Sequence, residues 1–353
     1  MNTIHQQHFR RRPLRRTMRG MNTADTLFSG QPQHFVLGDG VIGQAVADEL
    51  RRQGLPCVLG SRHAPAAGAA EPHRHITVDA LDAAALRHAT RGATHLYLTI
   101  GLPYDSAVWA RDWPRVMAHS IEAALAQGAV LVFFDNVYSY GPLPLAVPMR
   151  EDHPRQPPSR KGAVRLGLLR QLHEAGQRDR LRWVVGRSAD FYGPGVRNSV
   201  LYATAMARQL QGKRAQWLGN PDARHSFTYT GDAARALVQL AQDAGAWQQE
   251  WHLPTAGPAP TPRQLLGLSA RLLGAPQGVQ TLPPALFKLL QFFVTILREV
   301  DETLYQNKQD YVFDSSRFMA RYPAFRVTPY ETGIEAMVAS MRDSARAAAP
   351  STA

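Results

Sequence analysis

Cysteine and long apolar runs are scarce in this sequence. Cys57 is the single cysteine among 353 residues, which excludes an internal disulfide and a multi-cysteine metal site. No apolar run reaches the roughly 20 residues of a membrane-spanning helix, and the closest stretch, 285–297, contains Lys288 and Gln291. The thirteen histidines show no H-E-x-x-H spacing, so no metal site is expected. No G-x-S-x-G elbow is present either, and serine hydrolysis therefore has no support.

The positive charge is unevenly distributed. The net charge is +12, and residues 1–20 alone hold six arginines and no acid. This polar, aperiodic composition is typical of disorder, and we expect disordered tails over 1–30 and 346–353. An arginine-rich tail suits an anionic partner, but an unstructured tail without function is the simpler interpretation. We therefore expect no nucleic-acid partner.

Short apolar strands alternate with helices from residue 33 to about residue 195. Strands that are apolar on both faces and alternate with helices predict a parallel sheet covered on both sides. The predicted class is α/β, a doubly wound Rossmann sheet. The predicted strands are 34–37, 57–60, 76–78, 95–100, 129–134 and 183–186, and the predicted helices are 41–52, 82–91, 106–127 and 159–176.

The pattern changes to longer helices and irregular segments after residue 195. We predict a Rossmann domain over 31–195 and a smaller, mostly helical substrate lobe over 196–345, interleaved with the first. The stretch 286–300 has apolar residues on one side of a helix, which favours the core of this lobe. A dimer contact and a wall of the substrate pocket are the alternatives.

A glycine motif stands between the first predicted strand and its helix. Gly38, Gly40 and Gly43 form G-x-G-x-x-G, with Val41 and Ile42 inside it. The first glycine permits the tight turn, the second lets the backbone approach a pyrophosphate, and the third lets helix pack on strand. Unpaired amides at the helix start favour the anion. The motif predicts a dinucleotide site.

The end of the second strand favours NADP(H) over NAD. A carboxylate at that position would bind the free ribose hydroxyl of NAD. This chain has Ser61 and Arg62 there instead. A hydroxyl and a guanidinium suit a 2′-phosphate, and no carboxylate is present to repel it.

Together with the glycine motif, several segments resemble the short-chain dehydrogenase/reductase superfamily, in its extended epimerase/dehydratase-like branch. The resemblance covers about residues 33–340 and implies that Asp79 meets the adenine and that Thr99 and Gly101 lie in the cofactor loop after the fourth strand. The segments are Asp79-Ala80-Leu81-Asp82, Thr99-Ile100-Gly101, Asp135-Asn136-Val137-Tyr138-Ser139-Tyr140-Gly141, Ser188-Ala189-Asp190-Phe191-Tyr192-Gly193-Pro194-Gly195 and Phe227-Thr228-Tyr229-Thr230-Gly231-Asp232-Ala233-Ala234.

The catalytic motif departs from this family. Its members use a tyrosine, a lysine four residues later, and an upstream serine. The resemblance implies that Lys161 anchors the nicotinamide ribose, but Pro157 then stands at the tyrosine position. A register shifted by two residues would lose both groups, because it places Ser159 and Ala163 there. Asn136 takes the serine position.

Another tyrosine could supply the missing proton donor. Tyr138 follows the fifth strand, two residues after Asn136, at the edge of the sheet where ligands bind. It is the preferred donor, ahead of Tyr140. Tyr192 is expected to be structural.

Two functions remain open at this stage. The first is an NADP(H)-dependent oxidoreductase, or an epimerase/dehydratase-like enzyme, acting on a small carbonyl, alcohol or sugar-like substrate. The second is a catalytically silent NADP(H)-binding redox sensor or scaffold. We expect a cytoplasmic protein with no membrane partner, and a homodimer is left open.

Overall fold

The computed structural model describes residues 33–64 and 73–348, in which an entirely parallel sheet forms the centre. Its seven strands run in the order β10-β6-β5-β4-β1-β2-β3. The strands of the chain are β1 His34–Leu37, β2 Cys57–Ser61, β3 Arg74–Thr77, β4 His95–Leu98, β5 Val130–Asp135, β6 Arg182–Arg187, β7 Asp190–Tyr192, β8 Ala215–Trp217, β9 Phe227–Tyr229, β10 Gln249–His252 and β11 Val279–Thr281.

Helices cover both faces of this sheet. Helices α1 and α6 contact one another, and their apolar side chains share a core with alternate residues of β1, β2, β5 and β6. Helices α3 and α4 contact one another and β4, β5 and β6. The helices are α1 Val41–Arg52, α2 Ala83–Ala89, α3 Ser106–Gln127, α4 Arg160–Arg178, α5 Ala207–Leu210, α6 Thr230–Gln242, α7 Pro262–Leu273, α8 Pro284–Leu290, α9 Thr295–Asp301, α10 Ser316–Arg321 and α11 Tyr330–Ala348.

The strand order reverses between β1 and β4. Both strands pair with each other in parallel, and the chain leaves them toward opposite halves of the sheet. In open α/β sheets, ligands bind in the crevice at the carboxyl ends of such a pair. The glycine motif follows β1 directly, so the topology places it at this crevice.

The C-terminal half contributes to both layers of the molecule. Strand β10 completes the sheet beside β6, although it lies beyond residue 195. A second apolar cluster joins α7, α11 and the turn around Val196. The boundary at residue 195 stays a prediction.

Three local predictions need correction. The third strand begins two residues earlier and ends one residue earlier than predicted, at Arg74–Thr77. Helix α11 runs to Ala348, into the segment 346–353 that was predicted to be a disordered tail. The predicted N-terminal tail, 1–30, lies outside the described residues. The stretch 286–300 is broken into α8 and α9, and most of its apolar side chains are exposed rather than in a core. Within the described ranges, no helix is both long enough and apolar enough to cross a membrane.

Candidate functional site

The turn after β1 depends on glycine at two positions. Gly38 has φ of +118°, and a Cβ there would lie 2.7 Å from the backbone nitrogen of Ile100. A Cβ on Gly43 would lie 1.7 Å from the carbonyl oxygen of Gly38. Both distances are far below contact distance. A side chain at Gly38 would displace the loop after β4, and one at Gly43 would push α1 away from the turn.

Gly40 differs from these two glycines because open space surrounds it. A Cβ on Gly40 would meet no atom within 4 Å, and the residue is exposed. Gly40 is also the N-cap of α1, and it provides no side-chain cap for the helix. The first backbone amides of α1 are therefore free for an external anion.

The two residues inside the motif have different environments. Ile42 is buried in the core that α1 shares with the sheet. Val41 is half-buried, and its Cγ2 would lie 3.8 Å from a Cβ on Gly195. The glycine turn and the Gly193-Pro194-Gly195 turn are thus neighbours.

The loop after β4 supports the glycine turn. The Thr99 hydroxyl is 3.2 Å from the carbonyl oxygen of Leu37 and 3.3 Å from that of Gly38, so it donates to the end of β1. Gly101 is exposed, and a Cβ there would meet nothing within 4 Å. Thr99 therefore fixes the turn, and Gly101 leaves space beside it.

The residues at the end of β2 are not equally available to a ligand. The Ser61 hydroxyl donates to the carbonyl oxygen of His63 at 2.9 Å and lies 3.0 Å from His75 Nε2. Arg62 is exposed. Asp79 is exposed, and its carboxylate accepts the amide of Leu81 at 2.9 Å. Of Ser61 and Arg62, the arginine is consequently the better candidate for a phosphate.

The polar groups after β5 form a hydrogen-bonded line. Asn136 Oδ1 accepts the amide of Tyr138 at 3.0 Å. The Tyr138 hydroxyl lies 3.2 Å from that of Tyr104, which lies 2.8 Å from the Thr303 hydroxyl. Burial raises the pKa of Tyr138 well above its ordinary value, so Tyr138 stays protonated at neutral pH. Tyr104 was not identified from the sequence, because no motif marks the loop that carries it.

Lys161 is enclosed by acidic side chains. It is completely buried, and its Nζ donates to Glu302 Oε1 at 2.8 Å, to Ser106 Oγ at 2.9 Å and to a carboxylate oxygen of Glu299. Burial tends to raise the pKa of Glu302, but hydrogen bonding and the charge of Lys161 outweigh burial, and the net pKa is lowered. Glu302 is therefore ionised at neutral pH.

In this structure the ammonium of Lys161 is bound internally, and its assignment as a ribose ligand stays a prediction. An ammonium has three donors, and the side chains of Ser106, Glu299 and Glu302 already occupy all of them. In this conformation Lys161 holds Tyr104 instead, with Nζ 4.4 Å from the centre of the tyrosine ring.

Tyr140, the second candidate for the proton donor, and Tyr192 are both enclosed by other side chains. The Tyr140 hydroxyl is 2.7 Å from Arg187 Nη1 and 2.6 Å from His252 Nε2, and the residue is fully buried. Tyr192 is also fully buried and stacks on Tyr330. Both side chains are thus packed in the interior, and the structural role expected of Tyr192 stays a prediction.

A buried charge network under the site was not foreseen. Arg187 is fully buried between Asp135, at 3.1 Å, and Glu250, at 2.5 Å. Glu250 also accepts hydrogen bonds from both terminal nitrogens of Arg155, each at 2.7 Å. The network joins the carboxyl ends of β5 and β6 to β10. In residues 33–64 and 73–348, no group of three His, Cys, Asp or Glu side chains could hold a metal ion.

The sheet order, the uncapped glycine turn and the crevice between β1 and β4 define a dinucleotide-binding Rossmann protein. A family model described as the NAD dependent epimerase/dehydratase family matches residues 35–251. The chain belongs to this family. The predicted resemblance, the fold class and the expectation of an NAD(P)-dependent enzyme are thereby confirmed, as is a nicotinamide dinucleotide cofactor.

Solved structures show the same fold at low sequence identity. UDP-glucose 4-epimerase of Thermus thermophilus, solved as a complex with NAD, is 20% identical with a TM-score of 0.69, over 88% of this chain and 99% of that chain. An epimerase of Methanothermobacter thermautotrophicus is 13% identical with a TM-score of 0.75, over 90% and 94%. A putative epimerase of Burkholderia cenocepacia is 20% identical with a TM-score of 0.71, over 89% and 100%. No curated protein matches the sequence.

Proposed function

We propose that this chain is an NADP(H)-dependent oxidoreductase or epimerase/dehydratase-like enzyme that acts on a small carbonyl, alcohol or sugar-like substrate. The observation that carries the proposal is the start of α1, where an exposed Gly40 leaves the helix amides uncapped. A pyrophosphate would fit beside Gly40, because this residue has no side chain to fill the space through which the ligand approaches.

The choice of NADP(H) rests on Arg62. This arginine is exposed at the carboxyl end of β2, where its guanidinium can bind a 2′-phosphate in a bidentate manner. Ser61 contributes less than the sequence suggested, because its hydroxyl is engaged by His63 and His75. Two similar enzymes, from Thermus thermophilus and Bordetella bronchiseptica, were solved in complex with NAD, which makes a direct comparison of the two cofactors essential.

The chemistry proposed for the site needs a proton donor next to the cofactor. When bound, the nicotinamide would exchange a hydride with the substrate at C4. Tyr138 would donate a proton to the reacting oxygen, since its raised pKa keeps the phenol neutral. Asn136 would orient that oxygen, and Tyr104 would hold the phenol of Tyr138 in place.

Calorimetry with NADPH, NADP, NADH and NAD tests the proposal first. We expect NADPH to bind more tightly than NADH. Absence of heat with all four would overturn the dinucleotide site itself. A panel of carbonyls and nucleotide sugars then tests turnover, beginning with UDP-glucose, with which the similar epimerase of Thermotoga maritima was solved.

A redox sensor or scaffold is the second candidate, and the enclosure of Lys161 by Glu299 and Glu302 favours it. A lysine that stayed in these ion pairs would leave the usual catalytic pair without either member, since Pro157 stands at the tyrosine position. Stereospecific hydride exchange at C4 of labelled NADPH separates the two functions. Exchange supports the enzyme, and tight binding without exchange supports the sensor.

A further inference from the structure

In the segment from α8 to α9, acidic side chains face the interior and many apolar side chains face the solvent, which is the reverse of the usual arrangement. Glu299 and Glu302 point inward and form ion pairs with Lys161. Phe287 also points inward, and it is buried against Leu218 and Leu304. The opposite side, which we call the outer face, is apolar and exposed. The outer face consists of Leu286, Leu289, Phe292, Phe293, Val294 and Ile296, with exposed fractions from 39% to 81%.

The most exposed side chains of the outer face are large. Phe292 and Phe293 are 81% and 79% exposed, and they lie in the turn between α8 and α9. Single exposed apolar side chains are ordinary, but a contiguous apolar patch marks a surface that binds something. The inward ion pairs hold this patch toward solvent.

The charges around the outer face are mainly positive. Lys288 is exposed on α8 and Arg298 is exposed on α9. Neither residue takes part in an ion pair with the described part of the chain. Asp301 is the exposed acid of the segment, whereas Glu299 and Glu302 are turned away from it. Large apolar side chains flanked by cations are the composition of a surface that lies in the headgroup region of an anionic bilayer.

A second copy of the chain fits this surface less well. Each copy has a net charge of +12, and a twofold contact would bring Lys288 and Arg298 toward their own equivalents. The same charge attracts the chain to anionic lipid, where basic residues add to the binding energy. Contrary to the expectation of no membrane partner, we propose that the outer face docks the protein on an anionic membrane surface, with Phe292 and Phe293 inserted among the headgroups.

Flotation of the full-length protein with vesicles tests this proposal. Vesicles of phosphatidylcholine alone are compared with vesicles that also contain phosphatidylglycerol. We expect binding to the anionic vesicles and at least about a tenfold lower partition coefficient for F292S/F293S, because two exposed aromatic side chains lose their apolar contacts with lipid. The variant L143S/V147S is the matched control, since Leu143 and Val147 are 43% and 46% exposed elsewhere on the surface.

Three outcomes would overturn the proposal. The first is failure of the wild type to float with anionic vesicles. The second is equal binding by the wild type and F292S/F293S, which would assign the attraction to other basic residues, including the N-terminal arginines. The third is a dimer in light scattering that F292S/F293S alone dissociates, which would make the outer face a contact between copies. Circular dichroism and thermal unfolding confirm that both variants are folded.

Discussion

Lys161 and Glu299 are hydrogen-bonded across 138 residues of sequence, and the contact fixes α9 on the start of α4. The same carboxylate accepts the amide and the hydroxyl of Ser106, the first residue of α3. One glutamate therefore joins three helices at the edge of the proposed active site. Its loss should affect both the stability of the protein and access to Lys161.

Replacement of Glu299 by Gln should expose Lys161. Removing one partner of a buried ion pair is destabilising, and with Glu302 still present we expect a loss of about 1–3 kcal/mol in the free energy of unfolding. Urea unfolding measures that loss, and acylation of Lys161 followed by mass spectrometry measures its access. Asp301→Asn is the control, because Asp301 is exposed on the same helix. Unchanged labelling in Glu299→Gln would contradict this prediction.

Two glycines of the motif should have separate roles, Gly43 in the stability of the fold and Gly40 in cofactor binding. Gly43→Ala should lower the free energy of unfolding by several kcal/mol, since its methyl group would overlap the carbonyl of Gly38. Gly40→Ala should keep the stability of the wild type within about 1 kcal/mol but weaken NADPH binding at least about tenfold. Thermal unfolding and calorimetry on both variants test the division. Equal affinity in Gly40→Ala would place the pyrophosphate elsewhere.

The sequence predicted the central sheet well because its signals are local. Apolar runs bounded by turns located β1, α1 and α3 to the residue, and Gly43 is required by a contact with Gly38 inside the same strand-turn-helix unit. Strand β10 was missed because Glu250 and His252 alternate with Gln249 and Trp251, a pattern that suggests no buried strand. Their polar groups are satisfied by Arg187, Tyr140 and other distant residues.

The proposed site was less predictable than the fold for the same reason. The enclosure of Lys161 depends on Glu299 and Glu302, and Tyr104 is placed by contacts with Tyr138 and Thr303. These partners lie 34 to 199 residues apart in sequence. A spacing motif contains no information about such pairs. The position of Lys161 in the chain suggested a ligand-binding role, whereas its neighbours in space make it an internal ion pair.

Arg62 should determine which cofactor is preferred. Arg62→Ala removes the guanidinium at the end of β2, and we expect NADPH to bind at least about tenfold more weakly while NADH is unaffected. Calorimetric titration of each cofactor gives the ratio. Arg91→Ala, at an exposed arginine after α2, is the control for a general change of charge. An equal effect on both cofactors would leave the preference for NADP(H) without a physical basis.

Tyr138 should be needed for turnover and not for cofactor binding. With Tyr138→Phe we expect kcat to fall by about 100-fold, the scale of a lost general acid, with the NADPH dissociation constant unchanged. Steady-state kinetics on a substrate found in the panel, together with calorimetry, separates these quantities. Tyr202→Phe alters a half-buried tyrosine of the C-terminal half and should change neither. Full activity in Tyr138→Phe would assign the proton transfer to another group.

Two buried histidines, His34 and His252, and the half-buried His95 should make the fold less stable in mild acid. Burial lowers the pKa of His34 to about 3, of His95 to about 4 and of His252 to about 3. The Nδ1 of His252 lies 2.8 Å from the carbonyl oxygen of Asp314, so that nitrogen carries the proton and Nε2 accepts the hydroxyl of Tyr140. A second proton on this ring would turn Nε2 into a donor, so the hydroxyl of Tyr140 would lose the acceptor of its own proton.

The sign of the pH effect follows from these lowered pKa values. Below the unfolded value near 6.5 the unfolded chain binds more protons than the folded chain, so the free energy of unfolding falls as pH drops from about 6.5 toward the folded pKa values. Each histidine contributes a slope of up to about 1.4 kcal/mol per pH unit in that window. Urea unfolding at pH 7 and pH 5 measures the total, and His252→Asn should reduce the slope while it also lowers the stability at pH 7. A free energy of unfolding that is equal at both pH values would show that these rings are accessible to protons in the folded state.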